Sequence, residues 1–114
     1  MAHEGWVVKQ SRTLKRWRKR WLVLTTLCAR TYKQERGCKN STERIPIDEF
    51  RAITSVEDVP GHTYVFRLET NRRSFLFSVD SKEERNAWIG AIGRAIARPV
   101  ALRNSGDLPL LDRE

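Results

Sequence analysis

Between residues 62 and 80 the chain reads HTYVFRLETNRRSFLFSVD, with apolar side chains at every second position. Tyr64, Phe66 and Leu68 share one face of an extended segment, and Val65, Arg67 and Glu69 take the other. After a three-residue NRR turn, Phe75, Phe77 and Val79 repeat the pattern. A period of two is the signature of a strand. A connection this short joins only antiparallel neighbours. Residues 62–70 and 74–80 are therefore expected to form a hairpin with one buried face. The rest of the chain must extend that hairpin and supply something apolar to cover it.

Upstream, similar pieces recur at 5–9, 17–25, 28–33, 44–50 and 51–56, rich in β-branched and aromatic residues. Polar or Gly- and Pro-bearing stretches at 10–16, 34–42 and 57–61 separate most of them. Pro46 makes the fourth piece short or an edge strand, because proline cannot donate to a ladder. Downstream, Ser81 and Glu84 form an S-x-x-E capping box, with Glu83 and Glu84 in the first turn of a helix. Trp88, Ile92 and Ile96, with Ala91 and Ala95 beside them, make its apolar stripe. Pro99 stops it near Arg98. Gly90 and Gly93 weaken a helix interior, so a close approach of helix to sheet is expected there.

The expected fold is α+β and mainly β: a seven-stranded antiparallel barrel or sandwich of two sheets. One C-terminal helix caps it, with Trp88 as the plug, and the other end is open. Residues 1–98 read as the domain, and 99–114 as a flexible tail or linker.

The formal net charge is +8, and its distribution is uneven. Residues 5–34 hold nine Lys or Arg and no acid, whereas thirteen of each sign cancel from residue 35 onward. One anionic partner docking at one place accounts for this. Strand parity says where. Leu22 and Leu24 should be core, which sets Arg18 and Arg20 on their face, with Trp17, Lys19, Trp21 and Val23 opposite. Lys9 shares a face with Val7, and a hairpin sets it beside Arg18. Lys9, Arg18 and Arg20 thus continue two inward rows past the end of the core and line the open mouth. Arg30 and Tyr32 share a face on the third strand. Crowded cations there favour an anion that brings several oxygens, and a polyphosphate suits Arg forks and a Lys point charge.

Other chemistry finds no support in the sequence. Cys28 and Cys38 lack metal-site spacing, His3 and His62 stand alone, and both cysteines read as reduced thiols of a cytosolic protein. No metal, cofactor or catalytic residue is expected: no nucleophile–base pair and no glycine-rich phosphate loop is present. No apolar run reaches the ~18 residues of a membrane span. The start, MAHEGWVVK, has no secretory pattern, and Ala2 stands where myristoylation needs glycine. Membrane contact would be peripheral. The charge sits in one hairpin rather than along a groove-tracking stripe, which argues against nucleic acid.

The stretches EGWVVK, WRKRWLVL, TYK and DSKEERNAWIGAI together resemble the pleckstrin homology domain over residues 4–97. That resemblance implies a non-catalytic, phosphoinositide-binding module that recruits its protein from the cytoplasm to plasma or endosomal membranes. Members that recognise 3-phosphorylated inositol lipids tend to carry Lys, a loop, Arg or Lys, any residue, Arg, then Tyr on the third strand. By resemblance Lys9 and Arg18 would hold the 3-phosphate region, Arg20 would sit beneath it, and Tyr32 would bond a phosphate. Arg12 and Lys15 in the loop would add headgroup contacts. Arg16 and Lys19 would touch the membrane surface, with Leu14 dipping into the headgroup layer. The turn at 25–27 departs from the family pattern in lacking Gly or Asp, and the segment near Arg30 is less aromatic. The alternative is a protein-interaction scaffold whose basic face meets an acidic partner or anionic lipid unselectively.

Overall fold

A computed structural model describes residues 3–13, 15–35 and 40–98. Seven strands run β1 His3–Gln10, β2 Trp17–Leu24, β3 Cys28–Tyr32, β4 Glu43–Pro46, β5 Phe50–Val56, β6 Tyr64–Thr70 and β7 Ser74–Val79, followed by α1 Lys82–Ala97. All the pairings are antiparallel. Hydrogen bonding passes through all seven in the order β4-β3-β2-β1-β7-β6-β5. The expected two sheets are thus joined as one, through a short seam in which Val8 faces Ser78 and Lys9 faces Phe77.

The fourth segment is shorter than the expected 44–50. β4 ends at Pro46 on the sheet edge, and Ile47–Glu49 turn as a 3-10 helix. The Ile47 N–H leaves the ladder for the Leu27 carbonyl at 2.9 Å, and the Glu49 carbonyl takes the Asn71 N–H at 3.0 Å. This ties the link between β4 and β5 to the β6–β7 turn, which matters for the site below.

Val7, Leu22, Leu24, Phe50, Phe66, Leu68, Phe77, Trp88 and Ile92 make the centre of one core. Trp88 is buried, as the stripe predicts, with Phe66 stacked at 6.3 Å and His3 edge-on at 4.3 Å. Burying such a ring contributes roughly 1.5–3 kcal/mol or more by area alone. The helix starts as read: the Ser81 side chain accepts the Glu84 N–H at 3.1 Å. The Glu84 carboxylate reaches back one residue further than a standard capping box, accepting the Asp80 N–H at 3.2 Å. Gly90 and Gly93 are not the close approaches expected. A β-carbon at Gly90 would meet only the Arg94 side chain at 3.4 Å, and one at Gly93 would touch Ile53 at an ordinary 3.9 Å.

The outer face of the sheet is also partly covered. Val65 stands on the face opposite Phe66 yet is fully buried. Its cross-strand neighbour Ser78 bonds His62 at 3.1 Å, and Trp17 stacks on that imidazole at 3.9 Å. His62 is therefore packed between Trp17 and Ser78. Cys28 is a buried free thiol; Cys38 and the 99–114 tail lie outside the described residues.

Candidate anion-binding site

The site is built from the place where β1 and β2 outrun the core. Val7 and Leu22 are buried, and the next inward positions toward the loop are Lys9 on β1 and Arg20 and Arg18 on β2. In the register Lys9 faces Arg18 directly and Val7 faces Arg20. All three cations line one cavity of about 200 Å³, together with Ser11, Thr42 and Glu43. Like charges this close repel in the absence of a ligand. Arg18 is exposed and has no hydrogen-bond or ion-pair partner among the described residues. Arg20 donates to the Lys19 carbonyl at 2.8 Å.

The β1–β2 loop closes on itself. The Ser11 N–H bonds the Arg16 carbonyl at 2.6 Å, and the Arg16 N–H bonds the Ser11 hydroxyl at 3.0 Å. Lys15 takes a left-handed backbone (φ 56°), and its side chain, like that of Arg16, is exposed. Arg12 points elsewhere, into a second cavity of about 290 Å³ that it shares with Arg44, Arg72 and Arg73. Thr42 and Glu43 line both cavities and so form the wall between them. Leu14 lies outside the described residues.

Of the expected headgroup contacts, Arg12, Lys15 and Tyr32 do not line this cavity. Tyr32 faces Trp21 across the β2–β3 pair, so it takes the outer face with that tryptophan. There it neighbours Arg30, whose guanidinium pKa is raised above its ordinary value by Tyr32 and, less, by Cys28. The physical reason is parity: a one-residue offset moves a strand side chain to the other face. The inward third-strand residue nearest the cavity is Thr31, opposite Leu22 and fully buried. Its hydroxyl meets that of Thr42 at 2.7 Å, which sets Thr42 at the cavity wall. Lys19, expected as a membrane-surface contact, does not line the cavity either. It sits on the outer face with its ammonium 4.6 Å from the Trp6 ring centre. Trp6 packs edge-on against Trp21 at 5.2 Å, and the Trp21 indole N–H bonds Glu4 at 3.0 Å.

The residue that sequence reasoning missed is Glu43. Its carboxylate accepts Lys9 at 2.9 Å through Oε1 and Arg73 at 2.6 Å through Oε2. Phe75 lies beneath both cations, 5.6 Å from Lys9 Nζ and 4.2 Å from the Arg73 guanidinium carbon. Arg72 and Arg73 come from the NRR turn, read from sequence only as a connection. Arg72 forks onto Glu49 at 2.7 and 3.0 Å, on the 3-10 turn that Asn71 fastens. The signal for Glu43 was available in parity. Glu43, Ile45 and Ile47 alternate, and the two isoleucines are core. Among the described residues no cluster of His, Cys, Asp or Glu could hold a metal, and no helix is long and apolar enough to cross a membrane.

A seven-stranded antiparallel sheet closed by one C-terminal helix, with a cationic cleft at the open end of its first hairpin, matches a known pattern: the PH domain signature fits residues 1–97. The chain belongs to the PH domain family. Among relatives of this PH domain, pleckstrin homology domain-containing protein 1 of Arabidopsis thaliana is 32% identical over 98 residues, taking in 82% of this chain and 68% of its own length. Pleckstrin homology domain-containing family A member 6 of Homo sapiens is 34% identical over 117 residues, 92% of this chain but 11% of its own. The PH domain thus spans about two thirds of one relative and about a tenth of the other. The carboxyl-terminal PH domain of pleckstrin, in complex with D-myo-Ins(1,2,3,4,5)P5, shares the fold at a TM-score of 0.67 and 24% identity, covering 82% of this chain and 95% of that one.

Proposed function

We propose that this PH domain is a non-catalytic module that binds phosphorylated inositol headgroups and recruits its protein to phosphoinositide-bearing membranes from the cytoplasm. The observation that carries this is the convergence of Lys9, Arg18 and Arg20 on one cavity. Two guanidinium forks and an ammonium offer donors in the geometry that phosphate oxygens accept. Each charge-assisted bond is worth about 1.5–3 kcal/mol. Three or four of them exceed the attraction of a diffuse basic surface, at about 1 kcal/mol per cation near an anionic leaflet. The class of ligand agrees with the inositol pentakisphosphate held by the pleckstrin domain of the same fold.

Within that class the proposed preference is for 3-phosphorylated lipids, and it rests on the three cations alone. Tyr32 contributes nothing to it from the outer face. The Thr42 hydroxyl is the neutral group at the wall instead. Lys15 and Arg16, exposed on the loop, add attraction to the anionic leaflet.

Co-sedimentation with phosphatidylcholine vesicles, with and without a few per cent of phosphatidylinositol trisphosphate, tests the function. Pelleting that requires the phosphoinositide, and that a matched charge of phosphatidylserine does not replace, is the expected result. Equal pelleting on both anionic vesicles, or none on either, would favour the protein-scaffold alternative.

A further inference from the structure

The described chain holds three other candidate features: the apolar groove between the β2–β3 turn and α1, the aromatic outer face around Trp6 and Trp21, and the packed Trp17–His62–Ser78 cluster. None of them sets opposite charges against one another in the wall of a cavity. Glu43 does. It is an anion standing in the wall of an anion site, bonded on one side to Lys9 and on the other to Arg73. The Lys9, Glu43 and Arg73 side chains are 12%, 26% and 19% exposed. Solvent therefore screens this triad far less than an ordinary surface pair.

We infer that Glu43 is a built-in competing anion that sets the affinity of the headgroup site, an inference that rests on the function proposed above. In the free domain its carboxylate satisfies Lys9 and Arg73, two cations that would otherwise crowd each other over the Phe75 ring. An incoming phosphate that takes Lys9 must share it with Glu43 or displace it, and it meets the carboxylate's repulsion in either case. A ligand gains the site only by bringing more charge than the carboxylate it confronts. That works against weakly charged anions, and specificity of this kind is commonly obtained by a repulsive element. The two cavities meet at Glu43, so a ligand with phosphates on adjacent ring positions is the one that can draw Lys9 and Arg73 away together.

A purely structural carboxylate would behave differently. Removing it would lower stability and loosen the site, so affinity and stability would fall together. A competing anion predicts that they move in opposite directions. Without Glu43 the free domain loses stability, because Lys9 and Arg73 are left largely buried and mutually repelling. The bound domain gains, because the phosphate inherits both cations.

The experiment is titration calorimetry with soluble inositol tetrakisphosphate, paired with thermal melting with and without that ligand, on the parent, Glu43→Gln and Glu43→Asp. Expected for Glu43→Gln is binding about tenfold tighter, with a lower melting temperature in the free state and a larger ligand-induced rise. Glu43→Asp keeps the charge but has a shorter reach, so a smaller gain of about threefold is expected; it decides the matter if Glu43→Gln does not fold. A parent that binds and variants that bind equally or more weakly would overturn the competing-anion role and leave headgroup binding intact. If neither the parent nor any variant bound, both would fall.

Discussion

Lys9 Nζ lies 2.9 Å from Glu43 Oε1, inside the cavity that Arg18 and Arg20 also line. The ammonium is thus held ready by a carboxylate rather than by solvent. Its neighbour across the hairpin, Arg18, has no such partner among the described residues. The two cations should therefore respond differently to mutation.

Arg18→Ala removes an exposed, unpaired guanidinium, so the fold keeps its stability while the headgroup loses one fork. Affinity for inositol tetrakisphosphate is expected to fall ten- to a hundredfold, about 1.5–3 kcal/mol, with a melting temperature within a degree or two of the parent. Lys9→Ala should weaken binding and also destabilise the free domain, because Glu43 loses one of its two cations. Calorimetry and thermal melting on both variants check this.

Tyr32→Phe is expected to leave headgroup affinity within about twofold, since the hydroxyl sits on the far face with Trp21 and surface changes are usually within ~0.5 kcal/mol. Thr42→Val is the informative contrast. It deletes a hydroxyl from the wall of both cavities and breaks the 2.7 Å contact with buried Thr31. It should cost about 1 kcal/mol of stability and weaken binding. Equal affinity loss in the two variants would contradict the register drawn here.

Gly90→Ala should stabilise the domain by about 0.5–1 kcal/mol, read as a higher midpoint in urea. The new methyl meets only the mobile end of Arg94. A loss of stability would mean that the helix does lie closer to the sheet there.

Trp88→Ala is expected to cost about 3–5 kcal/mol, because the ring is buried between Phe66 and His3. Ser81→Ala should cost about 1 kcal/mol, since it removes the acceptor of the Glu84 N–H. Denaturant unfolding separates the two, and a reversed order would place the helix anchor elsewhere.

What made most of this fold legible in sequence is that alternation and capping are local. Phe66 and Phe77 declare their face within their own strands, and Ser81 with Glu84 declare the helix start within one turn. The same parity placed Lys9, Arg18 and Arg20 in a single row. Tyr32 is a different case: the family spacing points to it, but one residue separates it from the inward Thr31, and that offset puts it on the far face. Parity also sets Glu43 inward with Ile45 and Ile47, but its contact with Arg73 is hidden for another reason. Their meeting depends on β4 lying at the sheet edge and on the Asn71–Glu49 bond that brings the β6–β7 turn across. A sequence does not show contacts between segments 30 residues apart. The short 3-10 turn after Pro46 was likewise set by a tertiary bond, from Ile47 to Leu27.

The headgroup cavity is tested most sharply by calorimetry of the parent domain with soluble inositol tetrakisphosphate at low and high salt, where the screening length falls from ~10 Å to ~3 Å. A preorganised cavity predicts one-to-one binding that weakens but persists at high salt and is lost in Arg18→Ala/Arg20→Ala. Weak binding without fixed stoichiometry, vanishing at high salt and unchanged in that double variant, would contradict it.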